Sequence, residues 1–105
     1  MDQQKFLEIL NECATSCDNC YNACLEEENV KMMSNCIRLD RECAEICRYL
    51  ASAISRNSPF IKEIATLCSQ ICTACANECR QHEHDHCQKC ADICMKCSEA
   101  CNELL

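Results

Sequence analysis

An all-α fold, an antiparallel up-down-up-down four-helix bundle with a Cys-lined core, is predicted for this 105-residue chain by three observations. The chain holds no Gly and one Pro, so it lacks the residues that build tight turns and close backbone approaches. Three short stretches break its helical pattern: Glu26 to Asn29, Asn57-Ser58-Pro59, and Gln81 to Asp85. Between the breaks, Cys recurs at spacings of 4, 3 and 4, a mean period of about 3.5 residues that keeps one stripe of a helix buried in a bundle. Connections this short make neighbouring helices antiparallel, and the length allows one domain over residues 1–105.

The first helix is predicted over about residues 3 to 26, where Cys13, Cys17, Cys20 and Cys24 form the stripe and Phe6 with Ile9 or Leu10 extends it backward. The second, over about residues 30 to 55, carries Cys36, Cys43 and Cys47 in the same register and runs on to Leu50 and Ile54. Asp40 occupies the slot that a fourth Cys would take there. The third covers about residues 59 to 81: Ser58 caps it, Pro59 stands at its first position, and Ile61 and Ile64 lead into Cys68, Cys72, Cys75 and Cys79. The fourth covers about residues 86 to 104. Asp85 followed three residues later by Gln88 reads as a capping box, ahead of Cys87, Cys90, Cys94, Cys97, Cys101 and Leu104. The template CxxxCxxCxxxC thus repeats on three helices, and on the remaining one with a single substitution.

Antiparallel order collects Phe6, Leu10, Ile54, Phe60, Ile61, Ile64 and Leu104 at one end, as a dry plug. The opposite end gathers Met32, Met33, His82, His84 and His86 beside Cys24, Cys36, Cys79 and Cys87, a mouth lined with soft and borderline metal ligands.

Acids outnumber bases 17 to 10, for a net charge of −7, which argues against a nucleic-acid partner because phosphate binding runs on clustered Lys and Arg. The opening MDQQKFLEIL has no basic n-region ahead of an apolar stretch, and no apolar run reaches the roughly 18 residues of a membrane span. The expected location is therefore the cytoplasm, with no membrane contact. Leu, Ile, Val and Phe together supply 19 residues against 16 Cys, so thiols must fill much of the interior. A reducing cytosol keeps them as thiols, and so favours metal binding or redox chemistry over structural disulfides.

Seven CxxxC pairs occur, 13/17, 20/24, 43/47, 68/72, 75/79, 90/94 and 97/101. Side chains four apart on a helix lie about 5 to 6 Å apart at Cβ, and two sulfurs can swing to either side of a soft ion with bonds near 2.3 Å. Thiolates with few competing hard ligands select Cu(I), which accepts two or three sulfurs. Zn(II) more commonly uses isolated CxxC knuckles, and the iron–sulfur spacings are absent. One structural or catalytic site needs at most about four thiolates, so sixteen point to capacity, on the order of 8 to 16 Cu(I) per chain.

Four helices bearing repeated CxxxC, with His and Met at one end, make this sequence resemble the bacterial copper storage proteins over nearly its whole length. The resemblance implies a bundle that stores many Cu(I) ions along its core, in the cytosolic branch of the family, as a homotetramer. Under it Cys13, Cys17, Cys20, Cys24, Cys36, Cys43, Cys47, Cys68, Cys72, Cys75, Cys79, Cys87, Cys90, Cys94, Cys97 and Cys101 are the metal ligands. Met32, Met33, His82, His84 and His86 are the candidates for copper uptake.

Competing readings stand beside these. The thiols also suit Zn(II) buffering, thiol–disulfide redox chemistry, or disulfide stapling in an oxidising compartment. The His-x-His-x-His stretch suits a solvated loop as well as copper uptake. Met32 and Met33 are consecutive, so one of them faces inward, and core filling competes with a ligand role there. Asp40 either turns to solvent by a small helix rotation, the favoured reading, or sits in the stripe and limits ion density. Tyr21 and Tyr49 read as packing residues at the surface or between protomers, and Met95 as facing a neighbouring helix. No triad or phosphate loop is present, so an enzyme is not expected.

Packed SH groups and helix propensity suffice to fold such a bundle without metal. Far-UV circular dichroism of the fully reduced, metal-free protein is expected to be largely helical, and a random-coil spectrum would overturn that reading.

Overall fold

The computed structural model describes residues 1–104 and contains four long helices: α1 (Gln3–Leu25), α2 (Ser34–Ser55), α3 (Ile61–Arg80) and α4 (Asp85–Leu104), with a 3-10 turn at Val30–Met33 before α2. Each α-helix is 20 to 23 residues long. They stand side by side in a body of 43 × 18 × 18 Å. α1 packs on α2 and α4, α3 packs on α2 and α4, and the diagonal pairs meet only across the core. This is the expected up-down-up-down order. No helix is long and apolar enough to cross a membrane among the described residues.

Local chemistry explains the helix ends. Asp2 caps α1, its carboxylate accepting from the Lys5 backbone N–H at 2.8 Å. At the end of α2 the chain has no Gly for the left-handed position, and Asn57 adopts it with φ of 55°. The Asn57 N–H donates to the Ile54 carbonyl at 3.1 Å and the Ser58 N–H to the Ala53 carbonyl at 2.9 Å, the two bonds of a Schellman stop.

Three helix starts differ from expectation, the first being α2, which begins at Ser34 after the 3-10 turn and not at about residue 30. Pro59 and Phe60 form a turn, and α3 begins at Ile61; the Ser58 hydroxyl accepts from the Phe60 N–H at 3.1 Å, which closes that turn instead of capping a helix at Pro59. At α4 no capping box forms. The His84 carbonyl accepts from the Cys87 and Gln88 N–H groups, while the Gln88 amide donates to the carbonyls of Arg80 and His82 at 3.1 and 2.6 Å. Gln88 therefore satisfies the open end of α3, which the one-dimensional spacing to Asp85 does not reveal.

At the plug end Phe6, Ile9, Leu10, Leu50, Ile54 and Ile64 are buried, each worth about 1.5–3 kcal/mol in apolar area removed from water. Phe60 and Leu104, expected in this plug, are exposed instead, because the turn before α3 and the last turn of α4 carry them past the core. Ile61 is half-buried against the core. Between α3 and α4 a hydroxyl cluster ties the two helices: Ser69 and Ser98 Oγ are 3.1 Å apart, Thr73 reaches Ser98 at 2.7 Å, and Ser69 donates to Asn102 Oδ1 at 2.8 Å. Met95 is half-buried against the core and Tyr49 lies on the surface under the Arg56 guanidinium.

Candidate metal centre

All sixteen cysteines are free and buried. The 3.5-residue spacing turns every one of them to the bundle axis, where their sulfurs form a continuous column from the plug to the mouth. Nearest the plug, Cys47 Sγ lies 3.8 Å from Cys68, Cys72 and Cys97. The middle contains Cys43 and Cys72 at 3.5 Å, Cys17 and Cys94 at 3.5 Å, and Cys13 at 3.8 Å from Cys43. Cys90 links to Cys17 at 3.8 Å. Toward the mouth, Cys36 lies 3.3 Å from Cys79 and 3.8 Å from Cys24, and Cys20 lies 3.8 Å from Cys24. Of the seven CxxxC pairs, 20/24, 68/72, 75/79 and 90/94 meet directly at 3.8 to 4.0 Å. Most other close sulfur contacts run across the bundle.

Asp40 does not turn to solvent. It is fully buried inside the column, which corrects the favoured sequence reading. Its Oδ1 accepts from the thiols of Cys75, Cys90 and Cys79 at 3.3, 3.5 and 3.7 Å, and Cys36 lies 3.8 Å from Oδ2. Keeping the template register lets the carboxyl collect these donors, so no helix rotation is needed to relieve it. Burial first, then the neighbouring Cys90 and Cys36, push its carboxyl up to about 9.

The thiols divide protons among themselves. Hydrogen bonds from Cys20 and then Cys79 pull Cys36 down to about 3. Cys20 is pushed up by its bond to Cys36, and Cys79 by its bonds to Cys20 and then Cys36. Burial pushes Cys87 up to about 12. One thiolate held by protonated neighbours is the pattern expected where two adjacent anions would repel in a low dielectric.

Of the five residues expected at the mouth, His86 is the one whose side chain hydrogen-bonds the thiols among the described residues. Its Nδ1 lies 3.4 Å from Cys20 Sγ and 3.5 Å from Cys87 Sγ. Its Nε2 lies 2.8 Å from Glu27 Oε2, which also sits 3.5 Å from His84 Nδ1. The His84 and His86 rings stack at 5.3 Å. Glu27 thus holds the His86 ring at the column, a contact that sequence reasoning missed because Glu27 lies in a connection with no spacing signal. His82 bonds Glu78 at 2.8 Å. Met33 is buried while Met32 is 71% exposed, and both line an end groove of about 570 Å³ with His82, His84 and Glu26 to Glu28.

Several groups of four ligand atoms lie within 4.8 Å of one another: Cys13, Cys47, Cys72 and Cys97; Cys13, Cys17, Cys43 and Cys94; Cys17, Cys75, Cys90 and Cys94; Cys20, Asp40, Cys79 and Cys90; and Cys20, Cys24, His86 and Cys87. Cys13, Cys17, Cys20, Cys90 and Cys94 each belong to two groups. Adjacent sites therefore share sulfurs, as bridging thiolates do in polynuclear clusters, and the donor set is soft throughout.

A helical bundle whose axis, beyond an aliphatic plug, is lined by shared sulfur ligands defines a multi-ion, soft-metal storage scaffold. The family described as Copper storage protein (Csp) matches residues 1–105. This chain belongs to that family. Apo copper storage protein 3 from Bacillus subtilis is 46% identical over 98% of each chain, with a TM-score of 0.92. A Cu(I)-bound copper storage protein BsCsp3 is 47% identical, with 95% of this chain and 94% of that one covered and a TM-score of 0.91. The copper storage protein Ccsp from Streptomyces lividans, loaded with 10 copper equivalents, is 36% identical over 98% of this chain and 83% of its own, with a TM-score of 0.94. An uncharacterized cysteine-rich protein of Bacillus subtilis, YhjQ, is 48% identical over 58 residues, so the match spans 55% of this chain and about half, 54%, of that relative.

The raised Asp40 pKa has a definite sign in stability. The folded chain keeps a proton that the unfolded chain releases near its usual 3.8. The associated stability is full below that value, declines as pH rises, and is lost through about 9. Asp40→Asn carries no such slope. Chemical denaturation of reduced, metal-free protein at about pH 5 and about pH 8 should show the variant gaining on the wild type at the higher pH, and an unchanged difference would contradict the raised pKa.

Proposed function

We propose that this chain is a non-enzymatic store that binds many Cu(I) ions through the sixteen core cysteines and sequesters cytosolic copper. The observation that carries this reading is the unbroken column of free, buried thiols in which neighbouring ligand groups share sulfurs. A single site would need at most about four of them. Cu(I) accepts two or three sulfurs and tolerates bridging, so cross-bundle triplets such as Cys43, Cys72 and Cys47 suit it better than a closed tetrahedral Zn(II) site. Each Cu(I) displaces a thiol proton, and the resulting pair is neutral, which lets a filled column remain in a low-dielectric interior.

The cytosolic placement is supported by a Streptomyces lividans relative, 36% identical, described as a cytosolic copper storage protein, and by cysteines held as free thiols. A homo-oligomer, a tetramer by family resemblance, is the assembly proposed; exposed Tyr49, Phe60 and Leu67 supply apolar surface for it. His82, His84, His86 and Met32 are proposed to assist uptake, with Met33 serving as core filling beneath them.

Anaerobic titration of reduced apo-protein with Cu(I) against a chromophoric Cu(I) chelator tests the storage reading. About ten or more ions per chain should bind before the chelator colours. About four or fewer would turn the column into a Zn(II) or redox scaffold. Replacing His82, His84 and His86 together by Ala should slow loading and leave capacity nearly unchanged, as read by stopped-flow absorbance of growing thiolate–copper bands. An unaltered rate would remove the three from uptake.

A further inference from the structure

The end groove, where copper uptake is expected, has no cysteine in its wall. A second groove, of about 560 Å³, runs along the flank between α1 and α4 and does reach one. Its walls carry Thr15, Ser16 and Asn19 of α1 and Lys89 of α4, and Cys20 and His86 stand where it meets the column. Cys20 is 1% exposed and touches Cys24, Cys36 and Cys87 at 3.8, 4.0 and 4.0 Å, so an ion received there has its next ligands in place.

The two grooves differ in charge. The end groove is walled by Glu26, Glu27, Glu28 and Glu83. The flank groove carries one acid, Glu12, whose carboxylate is met by the Lys96 ammonium at 3.8 Å, and the exposed ammonium of Lys89, which has no carboxylate within 4.0 Å among the described residues. Cu(I) held by two thiolates is an anion, and it stays one when the carrier is an amino-acid thiol, whose carboxylate and ammonium cancel. Such a complex is repelled at the end and attracted at the flank. The flank volume is that of a small-molecule site, and its hydroxyl and amide side chains suit the carboxylate and ammonium of an amino-acid thiol.

We propose that the α1–α4 flank groove is a docking site for Cu(I) carried by a small amino-acid thiol, with Cys20 as the receiving ligand. This rests on the storage reading and adds the form in which copper arrives. In the exchange, a Cu–S bond to Cys20 forms while one Cu–S bond to the carrier breaks. The proton of the Cys20 thiol passes to the departing carrier thiolate, copper stays Cu(I), and no electron moves. Cys87 and the Nδ1 of His86, 3.4 Å from Cys20 Sγ, complete a three-ligand landing set.

The test compares two donors in anaerobic stopped-flow loading of the full chain: the Cu(I)–cysteine complex, an anion, and Cu(I) held by acetonitrile, a monocation whose neutral ligands bear no thiol. Lys89→Glu and Asn19→Trp are each expected to slow the first phase from Cu(I)–cysteine by about tenfold. Loading from the cationic acetonitrile complex should not be slowed, and the final number of ions should stay unchanged. Lys89 is exposed, so its variant keeps the test valid if the Trp disturbs packing. Equal rates for wild type and Lys89→Glu with the cysteine donor, or equal slowing with both donors, would overturn the flank site. Few ions per wild-type chain from either donor would overturn the storage reading, and this inference with it.

Discussion

Thiol packed against thiol along the bundle axis is the contact on which the rest of the architecture rests. A Cys side chain is small and carries only a weak donor, so a column of them packs like an apolar core without leaving polar groups in want of partners. The same column becomes a ligand array once protons leave. With 19 large aliphatic and Phe residues in the chain, such a core is thin, and the helices must be good in themselves. The absence of Gly and the single Pro serve that need. Where a left-handed residue is unavoidable, Asn57 takes it.

Most of this was legible in one dimension. Because Cys recurs every 3.5 residues, burial and direction follow from the period alone, and all sixteen cysteines lie where the period puts them. What the period does not contain is the third dimension of the connections. Gln88 turns back to close α3, Glu27 reaches across to His86, and Pro59 stays outside its helix. Asp40 shows the same limit from the other side. Read singly, a carboxylate in a thiol stripe looks misplaced; surrounded by Cys75, Cys79 and Cys90 from two other helices, it has donors enough to stay.

Electrostatics explain how so dense a site coexists with a stable fold. The acids that give the net charge of −7 are, apart from Asp40, all on the surface or in the connections. The interior stays near neutral in either state, by protons when empty and by Cu(I) when filled. Only where the column meets solvent does an imidazole join it, oriented by a carboxylate on its far nitrogen, which is the usual way a His ligand is held in one tautomer.

The aliphatic plug gives the column a direction. Leu10 and Leu50 are fully buried beyond the last sulfurs, with Phe6 and Ile54 behind them, so that end offers no donors for an ion to step through. A column with one blind end behaves as a stack: what arrives last leaves first. The thiols of Cys20, Cys24 and Cys36 stand at the open end of such a stack, and those of Cys47, Cys68 and Cys97 at its closed one.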